Sequence, residues 1–183
     1  TPAVRTSPYQ AYVKAMEELA QRYPEDTEAS VFYALALDVT ALPTDKSYAN
    51  QLRAARILEK VFAEQPDHPG VAHYLIHSYD FPPIAAQGLT AARRYASIAP
   101  SAPHALHMPS HIFLRLGDFQ LSATVNETAS EVDRRYIERS GAKGIYPLMY
   151  YSHNLHFVSY ARMMQGRYDD ALDYARRLKR NVD

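Results

Sequence analysis

Prolines recur at a fixed interval along this sequence. The interval from Pro66 to Pro100 is the same as the interval from Pro69 to Pro103. A period of this length, about 34 residues, is typical of chains in which each unit is one supersecondary element that cannot bury its apolar face alone. Neighbouring units bury each other's faces when they stack, so the sequence is predicted to fold as a stack of similar units.

The units are predicted to be helical. Gly is scarce, at six residues, 47% of the residues are hydrophobic, and the apolar–polar alternation of strands is absent. The turns around Gly117 and Gly166 look alike, and their separation is one period plus an insertion near Gly141. We expect about nine helices, spanning residues 8–23, 26–40, 47–64, 69–80, 84–97, 103–116, 119–139, 148–165 and 168–181. The longest internal loop is expected at about 140–147.

Small residues recur in the register that these turns define. Gly117 and Gly166 take repeat position 15. Position 8 is then Ser110 and Ser159, and position 20 of the first of these two repeats is Ser122. This pattern resembles the tetratricopeptide repeat family, in which small residues occupy positions 8 and 20. The resemblance covers most of the chain, although the bulky aromatic residue usual at position 4 is missing.

The resemblance implies an all-α fold. Its architecture would be a right-handed superhelical stack of antiparallel helical hairpins, a tetratricopeptide-like α-solenoid, with a concave groove that binds a protein or a peptide. Residues 1–183 are expected to form a single domain of this kind. The chain opens on an unpaired second helix and ends without an evident polar cap. We therefore expect either a longer array or self-association through the ends of the helix stack.

Seven of the eight histidines lie in three short clusters. The intervals from His73 to His107 and from His77 to His111 both equal the interval between the recurring prolines. In the repeat register the clustered histidines occupy positions 2, 5 and 9, which in the tetratricopeptide family line the concave groove. The candidate metal ligands are these seven residues and one nearby carboxylate: His73, His77, His104, His107, His111, His153, His156 and Asp80.

Two histidines four residues apart share one face of a helix, with Cβ atoms about 5–6 Å apart, so both imidazoles can reach one metal ion. Imidazole ligands suit Zn, Fe, Cu or Ni, so we expect one of these transition metals or otherwise no cofactor. Asp80 is either a third ligand beside two histidines or a hydrogen-bond acceptor that orients a ligating imidazole. The alternative is that the histidines bond main-chain carbonyls or line a polar groove for an anionic or aromatic ligand.

Pro109 lies between His107 and His111, inside the sixth predicted helix. A proline within a helix removes one hydrogen bond and kinks the helix, at a cost of about 3 kcal/mol. We predict such a kink here, because local departures from regular structure often mark functional sites. The alternative is a helix that starts at Pro109, with residues 105–108 in a loop and the two histidines on different faces.

Four further residues are expected in a ligand groove. Tyr74 and Tyr160 lie close to the histidines in the sequence and can stack or donate hydrogen bonds, and Arg115 can bind a carboxylate. The fourth is Asn154, between His153 and His156. The leading hypothesis is a repeat scaffold with a metal-binding histidine cluster. The alternatives are a metal-free adaptor for proteins or peptides and a purely structural segment, and no catalytic residue or reaction is assigned.

Composition excludes several classes of function. The 20 Lys and Arg residues balance the 20 Asp and Glu residues, so we expect no nucleic-acid partner, which would require a basic surface. No apolar run approaches the roughly 20 residues of a membrane span, so no membrane partner is expected. Cysteine is absent, which excludes disulfides, Cys-ligated metals and a thiol nucleophile. A cysteine-free chain suits the cytoplasm and export equally well, so the localisation is left open.

Overall fold

The computed structural model describes residues 2–183, with side chains described from Pro8 onward. All regular elements of the described residues are helices, and these residues contain no strand. The helices are α1 (Pro2–Arg22), α2 (Thr27–Val39), α3 (Ala49–Glu64), α4 (Pro69–Tyr79), α5 (Leu89–Ile98), α6 (Pro103–His107), α7 (Pro109–Arg115), α8 (Phe119–Ser140), α9 (Ser152–Met164) and α10 (Tyr168–Val182). Within these residues, no helix is both long enough and apolar enough to span a membrane.

The helices form a right-handed stack of antiparallel hairpins, as the sequence predicted. Each of the helices α1 to α4 packs against the next one along the chain, α6 and α7 both pack against α8, and α9 packs between α8 and α10. The helices α2, α4 and α7 also contact one another in that order, as the first helices of successive hairpins do. The helix formed by α6 and α7 therefore lies beside α4 as the first helix of the next hairpin.

Small residues occupy the places where helices approach most closely. Ala54 of α3, Ser122 of α8 and Ala129 of α8 are fully buried. Gly88, one period after Ala54, is packed so tightly that a Cβ atom there would lie 2.7 Å from Cδ1 of Ile112 and 3.0 Å from Cβ of Tyr79. Larger side chains at these positions would hold neighbouring helices apart, so the small residues set the spacing of the stack.

The helix predicted across Pro109 is present, with an interruption at Met108. Met108, between α6 and α7, has helical dihedral angles of φ −52° and ψ −38°, and its N–H donates to the carbonyl oxygen of His104. The sixth predicted helix therefore continues through the proline, as α6 followed by α7. The alternative of a loop over residues 105–108 is wrong.

Three helix starts differ from the prediction. Pro8 was expected as the first residue of a helix, but it lies inside α1, where its missing N–H removes a hydrogen bond without ending the helix. The helix expected from residue 148 is preceded by a π-helical turn, Tyr146–Tyr151, that runs directly into α9. The fifth predicted helix begins as a short 3₁₀ turn, Ala85–Gly88, before α5.

Candidate metal centre

Six histidines from the first helices of three successive hairpins, α4, α6 with α7, and α9, converge on one face of the stack. The shortest distances between ring centroids, 4.7 to 4.9 Å, occur within two groups of three rings. We call His107, His111 and His153 the first trio, and His73, His77 and His104 the second trio. The two trios adjoin, because ring centroids are 5.9 Å apart both from His77 to His111 and from His104 to His107.

The first trio has the geometry of a three-nitrogen metal site. One ring nitrogen from each of its three histidines lies within 4.8 Å of the corresponding nitrogens of the other two. His107 is fully buried, whereas His153 is exposed. The ring of Phe157 lies against all three imidazoles, with centroid distances of 4.8, 5.1 and 4.7 Å, and forms an apolar wall on one side of the site.

Asn126 of α8 fixes the ring of His107. Nδ1 of His107 lies 2.6 Å from Oδ1 of Asn126. The amide NH₂ of Asn126 donates to the main-chain oxygen of Ser122 at 2.7 Å, so Oδ1 is the atom that faces the imidazole. An amide oxygen only accepts, and Nδ1 of His107 is therefore the protonated nitrogen of the neutral ring.

Asp80 fixes the ring of His111 by accepting a hydrogen bond from its Nδ1. It is the residue that follows the last turn of α4, and its Oδ2 accepts from Nδ1 of His111 at 2.9 Å. Its other oxygen accepts from Nε of Arg115 at 2.7 Å. Burial acts to raise the pKa of Asp80, but the hydrogen bonds and charges of His111 and Arg115 outweigh burial and hold that pKa below its usual value. Of the two roles considered for Asp80, the observed contacts are those of an acceptor that orients a histidine.

These two contacts leave Nε2 of His107 and Nε2 of His111 facing each other, 3.0 Å apart. Because both Nδ1 atoms are donors, each Nε2 carries a lone pair when its ring is neutral. Two lone pairs at this distance repel each other unless a cation lies between them. That cation is either a proton on one ring or a metal ion. Nitrogen ligands about 2.0–2.1 Å from a tetrahedral ion stand about 3.3–3.4 Å apart, whereas the observed 3.0 Å is the length of an N–H···N hydrogen bond, so this distance alone does not choose between a metal ion and a proton.

In the second trio, Nε2 of His73 lies 2.9 Å from Nε2 of His77 and 3.4 Å from Nε2 of His104. The ring of His73 also stacks against Tyr74, at a centroid distance of 5.4 Å. Burial is the main cause that lowers the pKa of His73, to about 3, and repulsion from His77 adds to it. The imidazole is thus held in its neutral form, which is the form that binds metals.

His107 is subject to the same effect. Burial, followed by repulsion from His111, places the pKa of His107 well below its ordinary value, although the contact with Asn126 acts in the opposite direction. A fully buried imidazole of this kind remains neutral through the physiological pH range. Its Nε2 lone pair is therefore free to accept either a metal ion or an N–H of His111.

A cleft of about 460 Å³ opens onto both trios. His77 and His104 of the second trio and His111 and His153 of the first trio line it. Its opposite wall comes from the π-helical turn before α9 and includes Leu148, which is 51% exposed, together with Met149 and Tyr150. A larger cleft, of about 590 Å³, lies at the other end of the chain between α1 and α3, where the structure places no histidine.

The remaining predicted site residues lie at the edges of the centre or in supporting contacts. His156 is exposed on α9 and lines the same cleft, but it belongs to neither trio. Tyr160 is 38% exposed and lies in a shallow surface depression with His156. Arg115 is engaged by Asp80, and Tyr74 stacks on His73. Asn154 is buried and donates to Oδ2 of Asp133 at 2.6 Å, and it lines a cleft of about 410 Å³ together with His73, His104 and His153.

Sequence reasoning missed the supporting residues on α8. Ser122, Asn126 and Asp133 are fully buried although they are polar. They recur at intervals of four and seven residues, so they share one face of the helix. A stripe of polar residues on a packed helix face could have been recognised in the sequence. It would have indicated hydrogen-bond partners on a neighbouring helix, because buried polar groups need partners. Phe157, the apolar wall of the first trio, gave no signal of its own in the sequence.

Comparison with known proteins identifies the fold. No protein-family model and no curated protein sequence matches the chain. The solved structure of MamA 41-end from Desulfovibrio magneticus RS-1 is similar, with a TM-score of 0.71 and 12% sequence identity over 98% of this chain and 89% of that chain. At this identity the likeness concerns the fold alone, and it supports the tetratricopeptide-like solenoid that the repeat register predicted.

Proposed function

We propose that this chain is a tetratricopeptide-like scaffold that binds a transition-metal ion, Zn, Fe, Cu or Ni, in the first trio. The observation that carries the proposal is the pair of facing Nε2 atoms of His107 and His111, 3.0 Å apart, each of which has its Nδ1 bonded to an acceptor. This arrangement requires a cation between the rings.

The third histidine favours a metal ion over a proton. A proton shared between His107 and His111 would satisfy two nitrogens and leave His153 without a role, although a ring nitrogen of His153 lies within 4.8 Å of theirs. A metal ion uses all three. Three protein ligands also leave a coordination position open, and the cleft gives that position access to a small molecule from solvent.

The test is the metal content of protein made without a histidine tag, stripped with a chelator, reloaded with Zn(II) and passed through gel filtration. The key variant is His153→Ala, and the matched control is His156→Ala, three residues away on α9 and equally exposed. We expect the parent and the control to retain zinc and His153→Ala to lose the ion of the first trio. Absence of zinc from the parent, or the same zinc content in His153→Ala, would contradict the proposal.

Binding of a peptide or protein segment is the second candidate function. The observation that favours it is the apolar wall of the cleft, where Leu148 and Met149 are 51% and 57% exposed. Exposed apolar side chains beside a groove mark interaction sites more often than isolated ones do. A photo-crosslinking residue at Met149 should capture the segment, whereas one at Leu172, which is 48% exposed on α10, should not. Equal capture at both positions would argue against a specific groove.

A further inference from the structure

We infer that the cleft of about 410 Å³ beside the first trio binds a small organic cation of the alkylammonium class. Helices α4, α6, α8 and α9 and the π-helical turn all contribute to its lining. We call it the aromatic cleft, because the rings of His73, His104, Tyr146 and Tyr150 line it. The inference goes beyond the proposed function and needs no bound metal ion.

The four aromatic rings follow one another around the cleft. Ring centroids are 4.9 Å apart from His73 to His104, and 6.0 Å apart from His104 to Tyr150. The centroid of Tyr150 is in turn 5.7 Å from that of Tyr146. The face of a tyrosine ring is the negative part of its quadrupole and attracts cations. Aromatic walls of this kind suit an alkylammonium group, whose methyl groups carry the positive charge against the rings.

A buried carboxylate lies in the wall of the same cleft. Asp133 of α8 is fully buried, and its two oxygens accept from the hydroxyl of Tyr146 and the amide of Asn154, each at 2.6 Å. Among the side chains that the structure describes, none forms an ion pair with Asp133. Burial raises the pKa of Asp133, and the two hydrogen bonds act in the opposite direction. A buried charge without a counter-ion is unfavourable, so this carboxylate favours a cation in the cleft.

The rest of the lining supplies no positive charge. Among the described side chains, from Pro8 onward, no lysine or arginine lines the aromatic cleft. Burial lowers the pKa of His73 to about 3 and also lowers the pKa of His104, so both imidazoles are neutral near neutral pH. Asp133 would therefore repel an anionic ligand. A neutral aromatic ligand could stack on the rings, but it would leave the carboxylate without a counter-ion.

Asn154 adds an acceptor that lacks a partner. The residue is 3% exposed and lines the cleft. Its NH₂ group donates to Asp133, and no other described residue bonds its Oδ1. A buried polar atom of this kind needs a hydrogen-bond donor. A hydroxyl or an N–H on the ligand would supply that donor while the ammonium group lies against the tyrosines.

Choline is the probe, because it combines a quaternary ammonium group with one hydroxyl. Its control is 3,3-dimethylbutan-1-ol, which has the same shape and hydroxyl but a carbon atom in place of the charged nitrogen. Each is titrated by calorimetry into the tag-free, chelator-stripped chain. The chain is used without zinc because His153 belongs to the first trio and also lines the aromatic cleft, so a metal ion there would repel the ammonium group.

We expect choline to bind about 10-fold or more tightly than the neutral alcohol. Asp133→Asn keeps the size of the side chain and removes its charge, so it should weaken choline binding about 10-fold or more and leave the alcohol unaffected. Tyr150→Leu removes one ring of the cage and should weaken choline binding about 3- to 10-fold. Tyr168→Leu, a change on α10 at a side chain that is 70% exposed, is the matched control and should bind choline as the parent does.

Equal affinities of the parent for choline and for the alcohol, or no choline binding, would overturn the inference. An unchanged choline affinity in either folded variant, or an equal loss in Tyr168→Leu, would also overturn it. If Asp133→Asn does not fold, as circular dichroism can show, Tyr150→Leu decides alone, because that side chain is 42% exposed and its loss should leave the fold intact. None of these results depends on zinc, so the proposed function stands or falls by its own test.

Discussion

Oδ1 of Asn126 accepts a hydrogen bond from Nδ1–H of His107 at 2.6 Å, across the interface between α8 and α6. The contact joins a second helix to a first helix and decides which nitrogen of His107 faces the other imidazoles. Replacing Asn126 should therefore change the metal site without removing any ligand.

For Asn126→Ala we expect zinc affinity to fall about 10- to 100-fold, because the ring of His107 loses the acceptor that orients it. The buried N–H is then unpaired, so the free energy of unfolding should also fall by about 1–3 kcal/mol. Zinc titration and urea unfolding measure the two effects. Thr124→Ala, an exposed change on the same helix, is the control. An unchanged zinc affinity in Asn126→Ala would show that the contact does not act on the site.

Asp80→Ala should weaken zinc binding by about 10- to 100-fold, since His111 loses its carboxylate partner. Arg115→Ala removes only the other, solvent-exposed contact of the same carboxylate and should leave the affinity nearly unchanged. Competition between each variant and a chelator of known affinity provides the measurement. Equal losses of zinc affinity in the two variants would show that the ion pair between Asp80 and Arg115, and not the hydrogen bond from His111 to Asp80, supports zinc binding.

Pro109→Ala should restore a main-chain donor inside the helix that α6 and α7 form together. We expect the free energy of unfolding to rise, by at most about 3 kcal/mol, because the penalty of a proline within a helix is removed. Zinc affinity should fall, because a straighter helix changes the angle between His107 and His111. Thermal unfolding without metal and zinc titration separate the two effects. A variant with lower stability and unchanged affinity would contradict both expectations.

Asp38 predicts a pH dependence of stability. Burial raises the pKa of Asp38 to about 7, although a hydrogen bond from Ser78 acts to lower it. The unfolded chain releases this proton near its ordinary value of 3.8. Between these two pH values the folded state binds more protons, so the contribution of Asp38 to stability is lost as the pH rises from about 4 to 7.

In Asp38→Asn the side chain at this position no longer ionises. Relative to the parent, its free energy of unfolding should therefore increase between pH 4 and pH 8. Urea unfolding of both proteins at several pH values tests this, and the histidine titrations cancel because they are common to both. A difference between the two proteins that does not vary with pH would show that Asp38 ionises normally.

Gly88→Ala should destabilise the stack by about 1–3 kcal/mol, because the added methyl group would meet Ile112 and Tyr79 at close range. Gly70→Ala is the control, since the nearest atom there, a ring carbon of His68, is 3.3 Å away and not at the 2.7 Å met at Gly88. Urea midpoints of the two variants give the comparison. Equal midpoints would mean that the helices around Gly88 move apart without cost.

The repeat register predicted the fold because this fold depends on packing that repeats along the chain. The spacing of that repeat can be seen in a single sequence. The common interval of the prolines and histidines put His73 and His107 at equivalent places, and the mid-helix position of Pro109 predicted that the helix is interrupted there. Both are properties of spacing along a single chain. The predicted start of α1 was wrong. Ser7-Pro8 has the pattern of a helix start, but in the structure it lies inside a helix.

The contacts around the site were beyond the sequence because they depend on side-chain directions across helix interfaces. Spacing indicated that His107 and His111 share a face, but not that their Nε2 atoms face each other. The role of Asp80 was left between two alternatives until its partners were known. Asn126 looked like an ordinary polar residue of a surface helix, and its burial follows only from the packing of α8 against α6.

Each trio draws its histidines from two successive hairpins, and none is contained in a single one. His77 and His104 belong to different hairpins, as do His111 and His153. An ion bound at such a junction would cross-link two adjacent hairpins and fix the pitch between these units of the superhelix. Loading the first trio with metal would then stiffen the curvature of the stack.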